Sequence, residues 1–420
     1  MREPPVMTPE TELQHRFHHL IANVGVVRMT VFVPPNSHPK ETPMDSPSVS
    51  VDPDGLLEFS VVFTDRSLNH MSQAFQGVMR DISGMLREVY NAETAIVVPG
   101  GGTYGMEAVA RQFATGKRCL VVRNGWFSYR WTQICEAGDI PEELIVIKAK
   151  QTGNDTRSPF APPAIEDVTK WIAEEKPEVV FAPHVETSAG IILPDDYIRA
   201  LAEATHAVGG LFVLDCIASG AIWVDMKATG VDVLISAPQK GWSSTPSSGL
   251  VMLSAEAAKR MADTQSTSFA VDLAKWHSIM QAYEGGGFGY HATMPTDGLV
   301  HFRDAMLETK AIGFDVVKAR QQELGDKVRA MLAEMGFRSV APEGFGAPGV
   351  VVSYTDDPDI KSGSKFVAQG VQIAAGVPLQ CDEPADFSTF RIGLFGLDKL
   401  ADVDATLATL RGKFEQVMAG

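Results

Sequence analysis

Seven short runs of Val, Ile, Leu and Phe, spread over residues 94–254, constrain this chain more than any other feature. They are TAIVVPG (94–100), RCLVV (118–122), ELIVIK (143–148), EVVFAP (178–183), LFVLD (211–215), DVLISAP (232–238) and GLVMLS (249–254). Each run is continuous. A strand with one face in water alternates apolar and polar residues, so an unbroken run suits a strand buried on both faces. That is the condition of a parallel sheet covered by helices. Helix-period segments lie between several of the runs: GMEAVARQFA, IEDVTKWIAEE and DYIRALAEATHAVG. The alternation predicts a three-layer α/β domain built on a mostly parallel, seven-stranded sheet. The link from 238 to 249 is too short for a helical crossover, which makes the last strand a candidate for antiparallel pairing.

Upstream, NHMSQAFQGVMRDISGMLREVYNA places Met71, Phe75, Val78, Met79, Ile82, Met85 and Leu86 at spacings of three and four, the mark of a helix with one apolar face. Downstream of residue 296, DGLVHFRDAMLETKAIGFDVVKARQQELGDKVRAMLAEMG reads as one long helical stretch. GVVVSY (349–354), FRIGLFG (390–396) and a closing helix over 401–418 follow. Helix, strands and helix read as a smaller α+β domain. Residues 1–55 are rich in Pro, Ser and Thr and read as an irregular arm. It is either a loose terminus or a segment that wraps a partner subunit or rims a site. The expected division is therefore an arm (1–55), a large domain (56–312) and a small C-terminal domain (313–420).

Composition excludes several roles. The 36 Lys and Arg against 52 Asp and Glu leave a formal charge of −16, opposite in sign to a nucleic-acid binder or a protein docked on anionic lipid. No signal-peptide core and no long apolar window is visible, so the expected location is cytoplasmic, with no membrane partner. The four cysteines (Cys119, Cys135, Cys216, Cys381) have no CxxC spacing, so no metal site is expected.

Ligands of parallel α/β sheets gather at the carboxyl ends of the strands. After the first run stands Gly100-Gly101-Gly102-Thr103-Tyr104-Gly105, opening a helix. It has the form of an anion cradle, and equally of a flexible turn. After the second stand Trp126, Phe127 and Tyr129. They offer a ring to stack on a flat ligand, with at least one expected to pack in the core. After EVVFAP come Glu186, Thr187 and Ser188, either turn-capping residues or ligand hydroxyls. Asp215 ends the fifth run, either as a helix cap or as a carboxylate holding a protonated ring nitrogen. Gln239 and Lys240 follow the sixth; Lys240 is either a surface lysine whose amine reaches water or one partly removed from water, which loses proton affinity and becomes the better nucleophile. An anion loop, a ring, a hydroxyl, a carboxylate and a lysine at successive strand ends are the parts that pyridoxal phosphate requires.

At this point the chain resembles a known family, the class V aminotransferases of PLP fold type I, and within it the alanine–glyoxylate/serine–pyruvate aminotransferase group. GGGTYGMEA, RNGWFS, VETSAGI, LFVLDCIASGA, SAPQKGW, GYHATMP and FRIGLFG carry the resemblance, in family order. It implies pyridoxal 5′-phosphate as cofactor, with Lys240 as the Schiff-base lysine and Asp215 as partner of the ring nitrogen. Phe127 would stack on one ring face, with Trp126 the alternative, and Ile217 would pack on the other. Thr187 would neighbour the phenolic oxygen. Gly101, Gly102, Thr103 and Gln239 would hold the phosphate. Tyr290 and Thr293 would complete the site of a neighbouring subunit, which implies a homodimer with shared sites. Arg391 would bind the substrate carboxylate.

The implied activity is amino-group transfer between a small amino acid and a 2-oxo acid such as glyoxylate or pyruvate. Two alternatives remain: a lyase or desulfurase on the same fold using Cys381, and a non-catalytic dimer. Two departures from the family bear on the substrate. The N-terminal MTVFVPPNSHPKETP does not match the family's Gly-Pro-rich pocket segment, and the loop carries Gly101-Gly102-Thr103 where a Ser and a His are common.

Overall fold

All seven apolar runs become strands of a single sheet in the computed structural model, which describes residues 51–419. The strands are β1 (Thr94–Pro99), β2 (Arg118–Arg123), β3 (Glu143–Lys148), β4 (Val179–Pro183), β5 (Leu211–Asp215), β6 (Val233–Ser236) and β7 (Ser248–Leu253). Their order across the sheet is β1-β7-β6-β5-β4-β2-β3. β3, β2, β4, β5 and β6 pair in parallel. β7, the strand reached by the short link, runs antiparallel to both β1 and β6. A tight link can only reverse the chain, so loop length decided this direction.

The continuous runs are buried as their pattern demands. β4 to β7 are buried along their whole length, while β3, at the edge, is only half-buried. Six strands point the same way, so β1, β2, β4, β5 and β6 all end along one border. The chain leaves β1 at one side, crosses to β2 and β3 at the other, and returns through β4, β5 and β6. Loops that depart in different directions leave a crevice at that border.

Three helices enter the argument below: α1 (Gln73–Tyr90), α2 (Gly102–Phe113) and α3 (Trp126–Gly138). α1 is shorter than its apolar stripe. Ser72 caps it by accepting the Phe75 N–H at 3.1 Å, so Met71 lies outside the helix and is 37 % exposed. The stretch read as one long helix is two, Thr296–Ile312 and Phe314–Glu334, broken at Gly313 with φ 103°. Side-chain periodicity continues across such a break, whereas the backbone does not.

The C-terminal strands form a separate antiparallel sheet, ordered Val350–Tyr354, Thr389–Gly393, Ala374–Ala375. The two-residue Ala374–Ala375 strand has no apolar run to announce it. Among the described residues, no helix is long and apolar enough to cross a membrane. The irregular arm lies, up to residue 50, outside the described residues, and so does the segment that departs from the family pattern.

Candidate active site

The border where the strands end is organised by one buried carboxylate. Glu186 sits in a two-residue ribbon paired with Ile191–Ile192 and is fully buried. Its Oε2 accepts the Ser128 N–H at 2.8 Å and the Ser128 hydroxyl at 2.7 Å. Its Oε1 accepts the Phe127 N–H at 3.1 Å, the Ser188 N–H at 3.1 Å and the Ser188 hydroxyl at 2.7 Å. Ser188 Oγ in turn accepts the Trp126 N–H at 2.9 Å. The first N–H groups of a helix have no partner within it and carry partial positive charge, so a carboxylate suits them. Glu186 thus caps α3 from the chain segment after β4. The approach is close enough to exclude a side chain at Gly125: a Cβ there would meet Ser188 Oγ and lie 2.7 Å from Glu186 Cγ.

This cap fixes the first turn of α3, which carries Trp126, Phe127 and Tyr129. None of the three packs fully in the core, contrary to the expectation for at least one. The first helical turn faces the crevice, and the core position goes to Trp131, one turn on, which is fully buried. Two guanidinium groups flank the Phe127 ring, Arg130 at 5.3 Å and Arg391 at 5.6 Å from its centroid. Trp126 leans instead on Tyr129, with ring centroids 5.8 Å apart.

The glycine loop lies beside this turn. No side chain caps the N-terminus of α2. Gly102 packs against Ile217, where a Cβ would come within 2.6 Å of Ile217 Cδ1, so the loop and the turn after β5 are in contact. Thr103 Oγ1 accepts a hydrogen bond from Arg130 Nη1 at 3.1 Å.

Asp215 ends β5 and is 7 % exposed. No helix follows directly. Its Oδ1 accepts the Ile217 N–H at 3.0 Å, and it makes no ion pair among the described residues. Burial pushes its carboxyl up to about 7 from an ordinary 3.8; the Ile217 N–H and Arg130 oppose the rise, while Glu186 adds to it. Lys240 lies in the turn after β6, with Nζ 5.1 Å from the Phe395 ring centroid and no carboxylate partner among the described residues. Burial, aided by the positive charge of Arg391, lowers its proton affinity. Arg391 is steadied by donating from Nε to Ala375 O at 2.8 Å. Its own affinity for the proton is lowered by burial, with Glu186 opposing.

The structure therefore links Gly102, Thr103, Phe127, Asp215, Ile217 and Arg391 through a chain of contacts, and Lys240 lies near enough to Arg391 to feel its charge. Gln239 Oε1 is buried without a hydrogen-bond partner. Thr187, 7 % exposed, sits between the two capping residues Glu186 and Ser188. Tyr290 and Thr293 pair with each other at 3.3 Å, and Tyr290 leans on His70 with 56 % of its surface exposed. Two residues were not singled out as site residues from the sequence. Glu186 was visible only as one polar residue of a turn. Arg130 had a signal, since it stands three residues after Phe127 and so on the same helical face. Cys381 is 4 % exposed and donates from Sγ to Arg123 O at 3.4 Å; burial pushes its thiol up to about 12.

The model of the class V aminotransferase family matches residues 56–402. The chain is 25 % identical to the alanine–glyoxylate aminotransferase of Callithrix jacchus, over 82 % of this chain and 81 % of that protein. It is 27 % identical to the 2-aminoethylphosphonate–pyruvate transaminase of Vibrio parahaemolyticus, over 76 % and 83 % respectively. Among solved structures, an alanine–glyoxylate aminotransferase from Nostoc sp. superposes with a TM-score of 0.71, at 20 % identity, covering 84 % of this chain and 89 % of that one.

Proposed function

Given that the chain belongs to the class V aminotransferases, we propose that it uses pyridoxal 5′-phosphate to move an amino group from a small amino acid to a 2-oxo acid such as glyoxylate or pyruvate. The observation that carries the reading is Asp215. A buried carboxylate with one backbone hydrogen bond and no ion pair among the described residues is costly to ionise, since the charge of Arg130 only partly offsets its burial, and a protonated ring nitrogen would supply a direct partner. The other groups fit the same ligand. The uncapped N-terminus of α2 and the unpartnered Gln239 Oε1 offer polar groups for a phosphate end, and the Phe127 ring offers a stacking face.

When bound, the cofactor supplies a carbonyl that condenses with amines and a protonated ring that accepts an electron pair. Lys240 would carry it, through the Nζ that burial makes less basic. The same amine would also serve as the base that takes up the proton of the substrate Cα. Asp215 holds the proton on the ring nitrogen. Phe127 and Ile217 would face the ring, Thr187 would hydrogen-bond its phenolic oxygen, and Gly101, Gly102, Thr103 and Gln239 would hold the phosphate. Arg391 orients the substrate by its carboxylate.

Tyr290 and Thr293 would reach the phosphate of a second copy of the chain. Their exposure supports a homodimer, as do the exposed apolar residues Leu56, Leu57, Phe59 and Val61. The large domain (56–312), the small domain (313–420) and a cytoplasmic location belong to the same proposal. The Cys381 alternative lacks support. A buried thiol pushed up to about 12 stays protonated at neutral pH and is a poor nucleophile.

The test is a visible absorption spectrum of the purified protein during titration with single amino acids. A cofactor band that changes with one donor, releasing one 2-oxo acid per site, is expected. Ammonia or sulfide release would move the protein to a lyase, and no band would remove the cofactor.

A further inference from the structure

Every group assigned above to the cofactor's phosphate is neutral: the loop N–H groups, the hydroxyls of Thr103, Tyr290 and Thr293, and the amide of Gln239. A phosphate monoester carries a charge of about −1.5 to −2 near neutral pH. A helix N-terminus offsets roughly half a unit of that. Among the described residues, one cationic side chain hydrogen-bonds the loop. Arg130 Nη1 donates to Thr103 Oγ1 at 3.1 Å, and its guanidinium makes no ion pair among the described residues. We propose that Arg130 is the charged ligand of the cofactor's phosphate, a role that rests on the pyridoxal phosphate reading.

The geometry gives the residue this role in three ways. Thr103 Oγ1 accepts from Arg130, so its own hydroxyl hydrogen points elsewhere and can meet a phosphate oxygen. The guanidinium has further N–H groups to add beside it. Arg130 also stands three residues after Phe127 on α3, so one helical turn, capped by Glu186, presents both the stacking ring and the counter-charge. Arg391, on the same ring but tethered to Ala375 O, is left for the substrate carboxylate. The two cations thus face two different anions.

The experiment titrates apoprotein with pyridoxal phosphate and, separately, with pyridoxal, following tryptophan fluorescence, for the wild type, Arg130→Gln and Arg130→Lys. Loss of a charge-assisted contact to a dianionic group should weaken pyridoxal phosphate binding on the order of 10- to 100-fold in Arg130→Gln. Pyridoxal, which has no phosphate, should lose at least several-fold less than pyridoxal phosphate, because the contact of Arg130 with the Phe127 ring and its pull on Asp215 act on both ligands alike. Arg130→Lys should recover part of the loss, because it keeps the charge without the fork. Arg130→Gln with wild-type affinity for pyridoxal phosphate would overturn the proposal. So would an equal loss for both ligands, which would place the residue at the ring or in the packing of α3. A wild-type apoprotein that binds neither ligand would instead overturn the cofactor reading itself.

Discussion

Asp215→Asn should make the cofactor-free protein more stable at alkaline pH while it destroys function. The Asp215 carboxyl has an ordinary value of 3.8 and is raised to about 7 by burial. Between those values the folded chain holds a proton that the unfolded chain releases. Stability therefore falls as pH rises through that window and levels off above about 7. The full shift corresponds to roughly 4 kcal/mol at about 1.4 kcal/mol per unit. From pH 5 to pH 8 the linkage relation leaves roughly 3 kcal/mol of it to be lost. Asparagine has the same shape and no charge to desolvate. It keeps an oxygen for the Ile217 N–H but adds an amide that needs a partner, at a cost of about 1–3 kcal/mol at every pH. The measurement is urea unfolding of both apoproteins, followed by tryptophan fluorescence. The stability of Asp215→Asn minus that of wild type should rise by roughly 3 kcal/mol from pH 5 to pH 8. Taking the difference cancels the other carboxylates, which titrate in both proteins. A difference that stays flat across this range would refute the reasoning, because Asp215 would then carry no desolvation cost for the ring nitrogen to relieve.

Lys240→Ala should abolish turnover and prevent borohydride from fixing the cofactor to the chain, as read by mass spectrometry; retained turnover would remove its assignment. Gly125→Ala should push Glu186 and Ser188 away from the α3 N-terminus, costing about 2 kcal/mol or more in urea unfolding and weakening cofactor binding. Cys381→Ser should leave kcat within about twofold of wild type, since the buried thiol only donates to backbone carbonyls; a loss of turnover would reopen the lyase reading. Mixing inactive Lys240→Ala with inactive Tyr290→Phe/Thr293→Ala subunits should restore up to about a quarter of the activity if sites are shared between two copies. No recovery in subunits shown to exchange would mean that each copy is self-sufficient.

Much of the sheet was legible because its residues obey a one-dimensional rule. A strand covered on both faces must be apolar throughout, and each run landed within a few residues of its strand. The antiparallel β7 was legible too, because the length of a link limits where it can go. Helix ends were less so. Met71 shares the apolar spacing of α1 but precedes its cap, and the break at Gly313 interrupts the backbone without interrupting the pattern. The strand Ala374–Ala375 owes its existence to pairing with Thr389–Gly393, not to its own residues.

For the site, the order of residues already told which chemical groups stand at the strand ends: a glycine loop, a ring, a carboxylate and a lysine. It did so because those groups sit at fixed offsets from strands that can be read locally. What surrounds them depends on packing between segments distant in the chain. Glu186 and Phe127 are 59 residues apart, and nothing local says that one caps the helix of the other. Arg130 meets Thr103 across 27 residues, and Gly102 meets Ile217 only because β1 and β5 belong to the same sheet. The burial that pushes the Asp215 carboxyl up to about 7 is likewise a property of everything packed around it, which no residue carries alone.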